Sequence, residues 1–355
     1  MKVFVKIGHP GHVHLFKNLI WILENRGHEV KIAAKDRGII FKLLDTYGFT
    51  YEKFDRHRDS LHSKALGFVT REFKILKMVR EFKPDISVAM GPIPLAHVSK
   101  LLNKPCISFT DTEHDRFERL LSDPFVSAIC TPSCFKKDLG KKQVRYNGYH
   151  ELAYLHPNYF KPDSGVLDEL GLSRDDKFII MRFVSWRASH DVGHSGLTLE
   201  IKRRAVKEFG KYGQVFITSE SPLPSEFEKY RINVSPEKIH NLMYYATLLY
   251  GESATMTSEC AVLGTHAIFC DFAGRGYTDE QEEKYGLVFN FKLDEESQGE
   301  SLEKAVELLR ENNLKKKGNK KRERLLSEKI DVTAWMTNFI EYRPKSLYEY
   351  KREEK

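Results

Sequence analysis

Residues 251–269, GESATMTSECAVLGTHAIF, decide the reading of this 355-residue chain. They follow an apolar helical stretch at 240–246 and a short strand at 247–250, and they lead into another strand at 267–271. Strand, small-residue turn, helix and strand in that order make the crossover unit of a parallel sheet. A helix opening on Ser253, Ala254 and Thr255 leaves backbone N–H groups at the positive end of its dipole, without bulky side chains in the way. A diphosphate can bind there. Glu259 falls about one helical turn further on, where a carboxylate can accept two hydrogen bonds from ribose hydroxyls. The alternative is an ordinary strand–helix junction with Glu259 on a solvated face.

The same alternation runs outward in both directions. Toward the N-terminus, strands are predicted at 2–8, 29–34, 50–54, 86–90, 106–110, 126–130 and 144–147. Helices fall between most of them, at 13–26, 38–47, within 61–82, at 95–102 and at 134–139, the last with Ser133 as its cap. A break at 158–165, NYFKPDSG, precedes a second series: a strand at 178–184, a helix at 199–212 and a strand at 215–219. The opening unit follows, then a helix at 302–309 and an apolar helix at 332–340 that carries Trp335, Met336 and Phe339. The fold class is α/β: two doubly wound Rossmann-like domains, 1–160 and 161–330, facing across a cleft, with 331–355 as a C-terminal helix and tail.

Hydrophobic residues make up 41% of the chain, enough for packed cores and outside the disordered class. No apolar run reaches membrane-spanning length, and Met1 leads directly into a strand without a signal-peptide pattern, so a cytoplasmic protein is expected. The five cysteines (Cys106, Cys130, Cys134, Cys260, Cys270) read as reduced thiols. A net charge of +7 on this length does not call for a nucleic-acid partner. The dense basic run from Lys315 to Arg324, KKKGNKKRER, lacks interleaved aromatics. It reads as a solvated loop and helix face, or as a weak peripheral dock onto anionic lipid headgroups.

The loop after the first strand, Gly8-His9-Pro10-Gly11-His12-Val13-His14, carries the next candidates. Gly11 permits close backbone approach, and His12 precedes a helix whose dipole lowers an imidazole's pKa, as suits a general base near neutrality. The histidine spacing fits no common metal-ligand pair, so no metal is expected; His9 and His14 read as polar loop residues. Arg182 and Arg187 lie at the end of the strand opening the second half, where a guanidinium can grip phosphate oxygens bidentately or form a surface salt bridge. After the fifth strand, Asp111 reads as a helix cap, with Glu113 and His114 as acid/base or acceptor-binding candidates.

The run GHPGHVHLFKNLIWILENRGHEVKIAA resembles the amino-terminal signature of GT-B glycosyltransferases of the MurG type. The matching steps are Gly11-His12-Val13 and Arg26-Gly27-His28-Glu29-Val30. Residues 246–269 are similar to that family's donor-nucleotide motif. The resemblance makes Glu259 the ribose-binding glutamate and Ser253, Ala254, Thr255 and Met256 the phosphate-side turn. It makes Asp279, Glu280 and Gln281 the donor-sugar stretch. Ser253 stands where that family usually has glycine, and Glu282 where it has a second glutamine. In place of a Gly-Gly-Ser turn the chain has Arg182 to Arg187, RFVSWR, which is more like the UDP-GlcNAc 2-epimerases; Arg187 matches their diphosphate-binding arginine and Trp186 replaces their histidine. Over nearly its full length the chain resembles the family catalogued as domain of unknown function 354, grouped with GT-B folds.

The resemblance implies a nucleotide-sugar donor, of the UDP-sugar class, held by the second half without metal or other cofactor. It implies a glycan or lipid-linked acceptor held by the first half, with His12 taking the acceptor proton. A 2-epimerase using Asp111, Glu113 and His114, or a non-catalytic nucleotide-sugar binding module, are the other readings.

Overall fold

The computed structural model describes residues 1–55, 61–184 and 196–342. The chain divides into two compact units, one formed by Met1–Tyr154 with Ile330–Lys355 and the other by Leu155–Lys329. Each is built on one all-parallel sheet.

Among the described residues the first unit holds seven strands: β1 (Lys2–Ile7), β2 (Glu29–Lys35), β3 (Tyr51–Asp55), β4 (Ile86–Met90), β5 (Cys106–Phe109), β6 (Ala128–Pro132) and β7 (Gln143–Tyr146). Their order is β3-β2-β1-β4-β5-β6-β7, which puts the topological switch between β1 and β4. Strands covered on both faces should be continuously apolar. β5 and β6 are buried along their whole lengths, and β1 is buried from its second residue, Val3, onward. One of those buried β1 residues is Lys6, 7% exposed.

The second unit holds β8 (Phe178–Phe183), β9 (Gln214–Ser219), β10 (Leu248–Gly251), β11 (His266–Cys270) and β12 (Val288–Phe291), ordered β12-β11-β10-β8-β9. Its core gathers Ile179, Phe209, Ile217, Tyr250 and Ile268. Gly251 is required by space: a Cβ there would lie 2.1 Å from the Arg182 carbonyl oxygen on β8. Gly318 is required in the same way, because a Cβ would stand 2.1 Å from the Gly264 oxygen where helix Leu314–Glu328 crosses the end of helix Ala254–Leu263.

Five local expectations change. β12 was not anticipated. No helix forms at 134–139, because the carbonyls of Ser133, Phe135 and Lys137 accept from the Arg145 guanidinium instead of from a helical ladder. Asp115, not Asp111, caps helix Arg116–Ser122, its Oδ1 accepting from Glu118 N at 3.1 Å. The C-terminal helix Val332–Glu341 belongs to the first unit rather than standing apart. Thr333 donates to the Ala153 carbonyl, and Trp335 packs on Tyr146 with ring centroids 4.8 Å apart.

The basic run is the fifth change. It lies in a helix, and three of its cations turn onto the second unit's own backbone. Lys315 donates to the carbonyls of Tyr244 and Ala246, Lys321 to Gly286 O and Arg322 to Val262 O. The carbonyl oxygens they reach sit at the ends of secondary elements, where ladder partners run out. Among the described residues, no helix is long and apolar enough to cross a membrane.

Candidate functional site

In the second unit β10 ends at Gly251 and helix Ala254–Leu263 starts three residues later. Ser253 is the helix cap, its Oγ accepting from Met256 N at 3.4 Å. The serine thereby serves one first-turn amide, while those of Ala254 and Thr255 precede the helical ladder. Glu259 does not face solvent. It is 4% exposed, with Oε1 2.9 Å from Nε2 of His240, a buried histidine on helix Ile239–Tyr245. The solvated-face alternative is therefore excluded, and the turn and the carboxylate lie on one helix that closely follows a strand end.

The other donor-side residues are spread more widely. Gln281 is fully buried and donates to Ser258 Oγ at 2.7 Å, which ties it to the back of the same helix. Glu280 accepts from the buried Lys329 at 2.7 Å, and Asp279 stays partly exposed. Arg182 is held within its own sheet, by Thr218 Oγ1 at 3.2 Å and Glu220 at 2.6 Å. Arg187 lies outside the described residues.

Two residues here were missed from sequence. His240 is one. Glu252 is the other: with its side chain wholly withdrawn from water, it accepts from Val184 N at 2.8 Å and Leu197 N at 2.6 Å. A Glu directly after a strand glycine reads like any polar turn residue; only the strand order brings these amides to it.

In the first unit the Gly8–His14 loop is organised by its own imidazoles. His9 caps helix Pro10–Asn25, accepting from Gly11 N at 3.2 Å, so the Gly11 amide is turned to the cap. His12 Nδ1 accepts from Gly8 N at 3.3 Å. That bond places the ring proton on Nε2, so the ring presents a donor rather than a proton acceptor. Burial, with His9 and Lys6 next in effect, holds the imidazole well below its ordinary value and keeps it neutral. With the Gly8 amide on Nδ1, Nε2 is the nitrogen that His12 can offer a ligand. His14 is buried beside Tyr154, ring centroids 5.5 Å apart. Among the described residues, no three His, Cys, Asp or Glu side chains gather as a metal would need.

His12 lines a pocket of about 430 Å³ at the carboxyl ends of β1 to β4. Its other polar walls are Lys6, Lys35, Arg71 and Glu118, and its apolar walls include Phe54, Ile93 and Phe117. Lys6 donates to the Gly91 carbonyl. Burial lowers its pKa to about 8, opposed by the charge of Glu118. Burial and then Asp115 raise Glu118 to about 7, opposed by Lys6. Neither residue was singled out from sequence, although a lysine inside an otherwise apolar parallel strand was the available signal.

The third cluster lies beyond β5 and β7. Asp111 Oδ2 sits 2.9 Å from Nδ1 of His150, both residues under 9% exposed. Burial alone would lower the His150 pKa, but Asp111, by charge and hydrogen bond, raises it. Glu113 accepts from Lys136 N at 3.3 Å, and His114 is half-buried in the same loop.

The sequence matches, over residues 1–334, the family described as a protein of unknown function, DUF354. The chain belongs to this family. A relative from Methanocaldococcus jannaschii, itself titled an uncharacterized protein, is 26% identical over 283 residues, covering 76% of this chain and 82% of its own length. Among solved structures, the UDP-GlcNAc 2-epimerase of M. jannaschii in complex with UDP-GlcNAc and UDP superposes with a TM-score of 0.62 at 14% identity, covering 92% of this chain and 99% of its own. A Streptomyces sp. SF2575 glycosyltransferase superposes at 0.56 and 13% identity, covering 95% and 99%. The fold is that of the GT-B glycosyltransferases and UDP-GlcNAc 2-epimerases.

Proposed function

We propose that the chain is a metal-independent enzyme of the GT-B class that transfers a sugar from a nucleotide-sugar, of the UDP type, to an acceptor bound by the first unit. The carrying observation is Glu259, a carboxylate withdrawn from solvent on the helix that opens with the Ser253–Met256 turn. A buried carboxylate needs hydrogen-bond partners. His240 supplies one, and the same carboxylate has the acceptor chemistry that ribose hydroxyls need. First-turn amides and Arg187 then stabilise charge growing on the leaving diphosphate. Asp279 and Glu280 are the residues that the family resemblance assigns to the donor sugar, and Gln281 braces their helix through Ser258.

For the acceptor proton, Glu118 meets the requirement of a base with a pKa near 7, and His12 offers its Nε2–H to an acceptor oxygen. Calorimetry tests the donor half. Glu259→Ala should weaken UDP binding at least tenfold, about 1.4 kcal/mol, and excess EDTA should leave wild-type affinity unchanged. Wild-type affinity in a folded Glu259→Ala protein would remove the assignment.

The buried Asp111–His150 pair favours a second reading, a 2-epimerase, because proton abstraction at a sugar carbon needs a histidine whose basicity a carboxylate supports. Incubation with UDP-GlcNAc separates the two: an isomerised nucleotide-sugar without acceptor means epimerase, and UDP release only with acceptor means transferase.

A further inference from the structure

The pocket at the ends of β1 to β4 has a charge pattern that the donor site does not explain. Among the described residues three cations, Lys6, Lys35 and Arg71, and one carboxylate, Glu118, line it, while His12 stays neutral. Lys6 is the informative one. The ammonium of a lysine buried to 7% exposure is costly unless hydrogen-bonded and paired, and it offers three donors. The hydrogen bond it makes in the described structure goes to one carbonyl, that of Gly91. The Phe54 ring lies below it, 5.9 Å from the nitrogen. The opposite wall is apolar through Ile93, Pro94 and Leu121, with Phe117 68% exposed at the edge.

We infer that this pocket binds the oxyanion end of a small ligand with an apolar body, its phosphoryl or carboxyl oxygens held by Lys6, Lys35 and Arg71 and its body against Phe54, Ile93 and Phe117. A volume of about 430 Å³ falls in the range of small-molecule sites. Charge-assisted hydrogen bonds away from bulk water are the strong ones, so most of the affinity comes from Lys6. Its described lining belongs to the first unit, and oxyanion binding there stands without the donor site. That the ligand is the sugar acceptor rests on the proposed function; in that case the acceptor is an acid.

Phenyl phosphate and benzoate are the probes, with inorganic phosphate as the head group lacking a body. At least one aromatic probe should bind the full chain at least tenfold more tightly than inorganic phosphate; the tighter of the two identifies the head group. Lys6→Met should weaken that probe at least tenfold while leaving UDP affinity unchanged. Glu118→Gln, which removes the opposing charge, should tighten it several-fold. If Lys6→Met does not fold, the double variant Lys35→Ala/Arg71→Ala carries the same test on half-buried positions. The proposal is overturned if neither aromatic probe binds. It is equally overturned if binding survives these substitutions, or if saturating UDP displaces the probe from both wild type and Lys6→Met, since the probe would then occupy the nucleotide's place. A failure of UDP to bind would instead strike the donor reading, leaving the probe result intact.

Discussion

Lys6 in the first unit and Lys315 in the second are both lysines that burial has shifted, to about 8 and about 7 respectively. The shift alone does not tell them apart. Their partners do. Lys315 is surrounded by acceptors of its own unit: the carbonyls of Tyr244 and Ala246, and Thr265 Oγ1 at 2.6 Å. Lys6 reaches one carbonyl and otherwise faces a pocket. The same contrast holds for the glutamates. Glu252 is saturated by two backbone amides, whereas Glu118 stands on a pocket wall with its pKa raised. A perturbed group marks a functional site only when the fold has not already used its hydrogen bonds.

The contrast breaks most visibly at Glu252. Its replacement by alanine strands two backbone N–H groups, one buried at Leu197 and one partly buried at Val184, and each costs about 1–3 kcal/mol. Chemical denaturation should show a loss of about 3 kcal/mol or more in the second unit. A loss below about 1 kcal/mol would mean that Glu252 is not the structural brace described here.

Lys315→Met comes next, with an expected loss of about 1–2 kcal/mol at neutral pH from carbonyls left without a donor. The pH dependence carries the sharper signal. The folded pKa lies below the unfolded one, so between about 7 and 10.5 the unfolded chain holds more protons, and stability rises with pH through that window. Denaturation midpoints of wild type and Lys315→Met, compared across the window, should lose that slope in the variant. Binding of phenyl phosphate should be untouched; a change there would erase the distinction between the two lysines.

The smallest effect is the pH response of the pocket. Glu118 faces Lys6 from β1 and Asp115 and Asp123 at the two ends of its own helix, while Lys6 also faces Lys35, Arg71 and Cys106. Lowering the pH from about 8.5 to about 6 charges Lys6 and neutralises Glu118. Phenyl sulfate, whose charge does not change in that range, should then bind a few-fold more tightly by calorimetry. A flat profile would show that the two groups do not control the pocket.

The sequence alone determined the architecture. Apolar strands separated by helices favour parallel pairing, and eleven of the twelve strands among the described residues stand within a few residues of their predicted places. The turn at Ser253 and the helix carrying Glu259 were legible for the same reason, since a cap and a small-residue first turn are local features.

What a side chain does after the chain folds was not local. Asp111 looked like a helix cap until β7 brought His150 to it. The run from Lys315 to Arg324 looked solvated until Gly318 let its helix settle against the Gly264 carbonyl and turn three cations inward. Lys6 looked like one more strand residue until β1, β4 and the helix bearing Glu118 closed around it. Periodicity fixes which face of an element is buried, but hydrogen-bond partners from distant segments are chosen by strand order and packing, and these exist only in the folded chain.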